Sequence, residues 1–380
     1  MATTLEESTL HGFDVGGPRL PIEGLAPSSD TRLVQRSVDQ LFNRSVTGVL
    51  ELVRVGRLRL VSEAAAARVC QTMVEPVREI ADRGGKSWRS SAMLVACEAV
   101  GGDPGPLEDY VGVIELLHVG SLIVDDVQDG ANVRRGGPSC HVQSGVPLAI
   151  NAGTSAYFLF DRLVTGSSLP EPTQLRLYRL FFECMRAAHA GQALDLAGVE
   201  HLADRAAATG DAAPLIDAVS TIHVHKTGVP VVLCLLIGAI AGRASEAVID
   251  AMAQYGIAMG LAFQVGDDVL NIRGFQHNLK EPGEDIAGGK VTYPIALAFE
   301  RLPAEQRREL HERVTRRDGS EENVRSVIAL LESVDACARS LAAAEGALDR
   351  AWAALDPLIA ESPAKGRLRG YGSLFLRRHY

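Results

Sequence analysis

Residues 122–129 read Leu-Ile-Val-Asp-Asp-Val-Gln-Asp, three carboxylates closing an apolar stretch that begins near residue 107. Asp125 and Asp129 stand at i and i+4, so on a helix they share one face, while Asp126 points about 100° away. Two carboxylates on one face repel unless a cation lies between them. Magnesium is a hard cation that takes oxygen ligands and bridges carboxylates to phosphate, so it suits the pair. Standing alone, the same motif also suits a solvated acidic helix end.

A second cluster, Phe263-Gln264-Val265-Gly266-Asp267-Asp268 followed by Asn271, again closes an apolar helical stretch. Carboxylates on two helices that face each other across a bundle core are a recurring metal site. Solubility needs only scattered surface charge. Both clusters are therefore expected to face a cavity.

Outward from these motifs the signal stays helical. Segments 107–131, 145–165, 173–198, 214–242, 246–273 and 290–301 read as helices, and Val324, Ile328, Leu331, Val334, Leu341 and Leu348 follow amphipathic spacing. Period-two alternation is confined to very short runs, and no solenoid repeat is present. The fold class is expected to be all-α, a helical bundle in one domain over 31–380. Residues 1–30, with Gly16-Gly17-Pro18, Pro21 and Pro27, are expected to form a flexible arm. The apolar run Val229–Gly242 is short of the roughly 20 residues needed to span a bilayer and is expected to be a buried helix, not a transmembrane segment.

Composition narrows the class. With 47% apolar and 22% charged residues in 380, bulk disorder is excluded. A net charge of −9 lacks the basic footprint of a nucleic-acid binder. Six cysteines without a CxxC pair argue against a zinc cluster or disulfide framework and fit a reducing cytoplasm. The start, MATTLEEST, has no basic n-region of a signal peptide, so a cytoplasmic location is expected.

Cations complement the acidic motifs. Gly84-Gly85-Lys86-Ser87-Trp88-Arg89 follows a flexible glycine pair that permits close approach to phosphate, and arginine adds bidentate contacts. Arg134-Arg135-Gly136, Lys226-Thr227-Gly228 and Asp285…Lys290 supply further candidates. Each is weak alone, since surface turns carry the same residues.

Taken in order, GGKxxR, DDxxD, RRG, GQxxD (Gly191, Gln192, Asp195), KTG, FQxxDD and DxxxxK resemble the trans-isoprenyl diphosphate synthases, over about residues 80–300. The stretch Val146–Asn151 and the DDxxN form of the second acidic motif look most like geranylgeranyl diphosphate synthases. The sequence departs from the family pattern at Ser87, Ser90 and Asn271. The resemblance implies an isoprenoid synthase-type bundle around a central cavity, usually a homodimer. It implies head-to-tail condensation of isopentenyl diphosphate with dimethylallyl, geranyl or farnesyl diphosphate, with Mg²⁺, three ions when substrate is bound. By the same resemblance, Asp125, Asp129 and Asp267 bind Mg²⁺ with Asp126 and Asp268 in support. Arg134, Lys226 and Lys290 hold the allylic diphosphate; Lys86, Arg89, His118 and Arg135 hold isopentenyl diphosphate; Thr227 and Gln264 steady the developing cation. His118 lies seven residues before Asp125, on the same helix face.

Such a site ionises the allylic C–O bond by neutralising charge on the leaving diphosphate, and must exclude water from the carbocation. Product length is expected to follow the small residues Gly120 and Ser121, about 6–7.5 Å along the helix from Asp125, with Leu117 as the floor at C20. Gly120→Phe is accordingly expected to shorten the product. A class I terpene cyclase shares the fold, but its Asn/Ser/Glu metal triad is not found and aromatics make up only 5% of the chain for lining a cyclisation cavity. A non-catalytic partner subunit has no need for the intact acidic and basic set. Head-to-head condensation is a third option. The basic end Leu376–Tyr380 either frays or folds over the isopentenyl site.

Overall fold

The computed structural model describes residues 28–274 and 283–376. Two long helices set the frame. Ala213–Ala241 runs for 29 residues, with a π turn at Val224–Gly228, and Glu246–Arg273 follows after the link Gly242–Ser245. Val229–Ala241 is apolar on every side, which suits only a helix enclosed by others, and Val231–Ile240 is buried throughout. Both long helices have the length and composition to cross a membrane, yet 67% and 56% of their most apolar stretches are buried inside the molecule. The run Val229–Gly242 is thus the second half of a longer helix, continued backward through the π turn. Ser245 caps the next helix by accepting from the Val248 N–H at 3.4 Å, with Glu246 favourably placed in the first turn.

Other helices pack around this pair. Trp88–Ala99 lies on Val229–Ala241, Ala336–Leu355 on Glu246–Arg273, and Pro363–Leu376 on both Trp88–Ala99 and Glu246–Arg273. Glu171–Ala197 turns Leu177, Phe181, Cys184 and Gly191 inward, at spacings of four, three and seven, against Val229–Ala241 and the π turn. Val111–Asp129 buries Val113, Leu116, Ile123 and their neighbours and ends at Gly130, whose φ of 66° is open to glycine. One buried apolar core extends from Val34 to Phe375, and each fully buried Leu, Ile or Phe contributes about 1.5–3 kcal/mol by leaving water.

Local differences from the sequence reading have local causes. The segment 145–165 is two helices, Val146–Ser155 and Phe160–Gly166, joined by a tight 3₁₀ turn at Ala156–Leu159. The C-terminal amphipathic pattern breaks between Glu321–Glu332 and Ala336–Leu355, where Asp335 takes a left-handed φ of 52°. Segment 290–301 is helical only over Tyr293–Ala298. Among the described residues the only paired strands are Val133–Arg134 and Gly137–Pro138. Residues 28–30, read as part of the arm, belong to the helix Ser28–Leu41; the rest of the arm and the tail Arg377–Tyr380 lie outside the described residues.

Candidate active site

A cavity of about 420 Å³ opens between Val111–Asp129, Glu171–Ala197, Ala213–Ala241 and Glu246–Arg273. Asp125 and Asp267 both lie on its wall, with Lys226, Thr227, Gln264, Arg89, His118 and Arg134. Its apolar lining includes Ile114, Leu117, Leu233, Cys234 and Phe263, and Ser121 joins the wall near Tyr157 and Met185 in the same lining.

The π turn carries Lys226 and Thr227. Such turns insert an extra residue into a helix and recur at functional sites. This one is clamped by close packing. A Cβ on Gly191 would stand 2.5 Å from the Lys226 backbone nitrogen, and one on Gly260 would collide with Gly228. Helix Glu246–Arg273 therefore presses on the turn and brings Gln264 to Thr227. Thr227 Oγ1 donates to Gln264 Oε1 at 3.1 Å, and Gln264 Nε2 donates to Asp268 Oδ1 at 3.2 Å. Asp268 Oδ2 accepts from the Tyr293 N–H at 2.9 Å and lies 3.5 Å from His223 Nε2. Burial pushes Asp268 up to about 6 and His223 down to about 3.

Acidic groups converge on one ammonium. Lys226 Nζ lies 2.6 Å from Asp195 Oδ2 and 3.1 Å from Asp125 Oδ1. Gln192 Nε2 donates to Asp125 Oδ1 at 3.0 Å and to Gln128 Oε1 at 2.9 Å. Burial opposes the Lys226 charge, but Asp125 and Asp195 outweigh it and raise its pKa. Burial likewise opposes ionised Asp195, yet Lys290 and Lys226 together bring its pKa below the ordinary value. Asp129 is raised, by burial first and then by the charge of Asp125. Asp125, Asp129 and Asp195 thus share the charge of Lys226 and Lys290, and Lys226 stands where a cation bridges Asp125 and Asp195. Hard carboxylate oxygens in this setting fit a divalent metal. Among the described residues no three His, Cys, Asp or Glu side chains group closely enough to hold one by themselves.

The cationic side is built differently. The Arg89 guanidinium lies 4.6 Å from the centre of the Trp88 ring and 5.5 Å from that of Phe263. Trp88 in turn stacks on Phe263 at 5.6 Å and meets the edge of Phe375 at 4.6 Å. Arg89 Nε is buried without a hydrogen-bond partner, and burial lowers the pKa of this arginine. His118 is held well below the ordinary histidine range by burial and then by Arg89, Arg135 and Arg134, so its imidazole is neutral at pH 7. Arg135 and Gly136 have φ of 50° and 74° in the turn between the two short strands, the backbone twist that tight hairpins favour. Arg134 reaches Asp126, with Nε donating to Oδ1 at 2.8 Å, and Arg135 reaches Glu115.

Several expected residues do other work. Asp126 is fully buried on Arg134, and Asp268 is buried on Gln264 and the Tyr293 amide, so each braces a neighbouring group and neither lines the cavity with Asp125 and Asp267. Gly120 is not a wall of the cavity either. A Cβ there would stand 2.5 Å from Gly153 O and 2.9 Å from Ala156 Cβ, so its smallness serves helix packing. Ser121, one residue and about 100° further round, does line the cavity, as does Leu117. Lys86, Asp129 and Arg135 lie off this wall, and Lys290 lines an adjoining cavity of about 180 Å³ with Lys226, Thr227 and Gln264. The sequence reading missed Glu115 and His223. The available signal for Glu115 was a lone acid inside the apolar run 111–124.

The profile of the polyprenyl synthetase family matches residues 70–331. The chain is 33% identical over 266 residues to a short chain isoprenyl diphosphate synthase of Methanothermobacter thermautotrophicus, covering 67% of this chain and 77% of that protein. It is 34% identical over 223 residues to the mitochondrial geranylgeranyl pyrophosphate synthase 10 of Arabidopsis thaliana, covering 57% of this chain and 63% of that one. The crystal structure of geranylgeranyl pyrophosphate synthetase from Pyrococcus horikoshii superposes with a TM-score of 0.75 at 25% identity, covering 92% of this chain and 96% of the other.

Proposed function

Since this chain belongs to the polyprenyl synthetase family and is an isoprenyl diphosphate synthase, a prenyltransferase, we propose that it joins isopentenyl diphosphate head to tail to an allylic diphosphate and releases geranylgeranyl diphosphate. One observation carries this reading. A single cavity holds Asp125, Asp267 and Lys226 together with Arg89, His118 and an apolar lining. A terpene cyclase on the same fold has no second diphosphate for Arg89 and His118 to hold.

Asp125, Asp129 and Asp267 are the residues to hold magnesium, three ions with substrate bound. The metal, when bound, neutralises charge on the leaving diphosphate and so favours ionisation of the allylic C–O bond. Lys226, Arg134 and Lys290 grip the same diphosphate. Thr227 Oγ1, its hydroxyl proton donated to Gln264, turns lone pairs toward the developing cation. Neutral His118 donates a hydrogen bond to isopentenyl diphosphate beside Arg89, while Lys86 and Arg135 approach from the adjoining loops. Leu117, Leu233 and Phe263 keep water from the cation. The double bond of isopentenyl diphosphate attacks it, and the departing diphosphate takes the proton.

We also infer a homodimer in the cytoplasm, each chain one domain that includes the helix Ser28–Leu41. Leu175, Phe182 and Leu196 are exposed at spacings of seven and fourteen on one helix face; an exposed apolar row of this kind marks an interaction surface. All six cysteines are free thiols, in keeping with a reducing compartment. Mass spectrometry of the products from the C5, C10 and C15 primers tests the reading. A C20 diphosphate is expected from each, and Ser121→Phe is expected to stop the chain at C15. A cyclic hydrocarbon formed without isopentenyl diphosphate would overturn the function, and unchanged C20 output from Ser121→Phe would remove Ser121 as the ruler.

A further inference from the structure

Glu115 is a buried carboxylate that the reaction above does not use. Its side chain is 10% exposed within an apolar helix and accepts a hydrogen bond from Arg135 Nη2 at 2.7 Å. A carboxylate buried there without its partner is strongly unfavourable, so the two groups form one unit. Contacts on two sides fix where that unit lies. Arg135 sits in the hairpin turn with a left-handed φ of 50°. Its Nη1 points to Ile80 O at 3.4 Å. A Cβ on Gly85 would stand 3.0 Å from Arg135 Nη2 and 3.1 Å from Glu115 Oε1, so the Gly84-Gly85-Lys86 loop lies directly on the ion pair.

The charge balance points the same way. Arg135 disfavours the charge on Arg89, and Glu115 favours it. Two arginines near one another are costly to bury, and one carboxylate between them offsets part of that repulsion. Arg135 has five N–H donors, and the contacts to Glu115 and Ile80 leave the others for an anion.

We infer that Glu115 is a positioning residue for isopentenyl diphosphate, fixing the Arg135 guanidinium against the Gly84–Lys86 loop and shielding it from Arg89. This rests on the reading that Arg89 and Arg135 serve isopentenyl diphosphate. The shape of Glu115 is kept by Glu115→Gln while its charge is lost. The arrangement follows the general rule that a binding side chain is only as well placed as the group that orients it.

Steady-state kinetics on the full chain, varying each substrate in turn, compare Glu115→Gln, Arg135→Gln and the double variant. Glu115→Gln is expected to raise the isopentenyl diphosphate KM about tenfold or more, as loss of a hydrogen bond between charged groups implies. The allylic KM and kcat are expected to stay within about twofold. The double variant is expected to be no worse than Arg135→Gln alone, because the two side chains act as one unit. A role in packing alone would lower the melting temperature and leave the isopentenyl KM unmoved. An unchanged isopentenyl KM in Glu115→Gln, with a raised one in Arg135→Gln, overturns the inference and spares the subsite reading. An unchanged KM in Arg135→Gln overturns both. If Glu115→Gln folds poorly, Glu115→Asp gives the same readout, since its shorter reach loosens Arg135.

Discussion

On one side of the cavity Lys226 is gripped by Asp125 and Asp195, with Gln192 bracing Asp125. On the other side Arg89 rests on the rings of Trp88 and Phe263, and Arg135, off the cavity wall, is tied to the carboxylate of Glu115. The first side is rich in carboxylates and repels a diphosphate unless further cations arrive. The second already presents cations whose neighbours leave donors unspent. On the proposed reading, two substrates carrying the same charged group are distinguished by the sign of the wall that meets them, rather than by the shape of a phosphate pocket.

The largest expected effect breaks the acidic side. Asp125→Asn and Asp267→Asn are each expected to lower kcat/KM about a thousandfold, the scale seen when a group stabilising transition-state charge is lost. Arg89→Gln is expected to raise the isopentenyl KM about a hundredfold with a smaller change in kcat. Initial rates with both substrates varied separate the two patterns. Equal losses of kcat on the two sides would erase the distinction.

A smaller effect sharpens it, behind the acidic wall. Burial, then Lys290 and Lys226, brings His223 down to about 3. Its folded pKa lies below the unfolded value, so its contribution to stability is complete above about pH 6.5 and is lost as pH falls from there toward the folded pKa. Between pH 7.5 and pH 5 the loss is about 1–2 kcal/mol. Urea unfolding at the two pH values is expected to show that extra loss in the unsubstituted protein and not in His223→Gln. Equal acid sensitivity would mean that His223 is not held neutral. His118, on the arginine side, is shifted in the same direction.

Much of this was legible in the sequence because helical spacing fixes which residues share a face. The motifs carrying Arg89, His118, Asp125, Arg134, Lys226, Gln264 and Asp267 were all read from the sequence, and these seven side chains line one cavity; Lys86, Asp129, Arg135 and Lys290 stand outside it. Spacing does not say which neighbour a face meets. Gly120 and Ser121 read alike as small residues near the motif, and only packing against Gly153 and Ala156 turns Gly120 away from the cavity. Asp126 and Asp268 read as the second members of acidic pairs, and the 100° step between adjacent residues on a helix carries both into the interior, onto Arg134 and Gln264. The π turn that presents Lys226 and Thr227 depends on contacts with Gly191 and Gly260 from two other helices, and local pattern carries no trace of it.

The opposed signs of the two walls are tested most directly by calorimetric titration of each ligand with and without Mg²⁺, using a non-ionising thio analogue of farnesyl diphosphate on one side and isopentenyl diphosphate on the other. Removing the metal is expected to weaken the allylic analogue about a hundredfold or more while isopentenyl diphosphate changes by about threefold at most. Equal dependence of both ligands on the metal, or an allylic analogue that binds as well without it, would contradict the division of the cavity into a metal-requiring wall and a self-sufficient one.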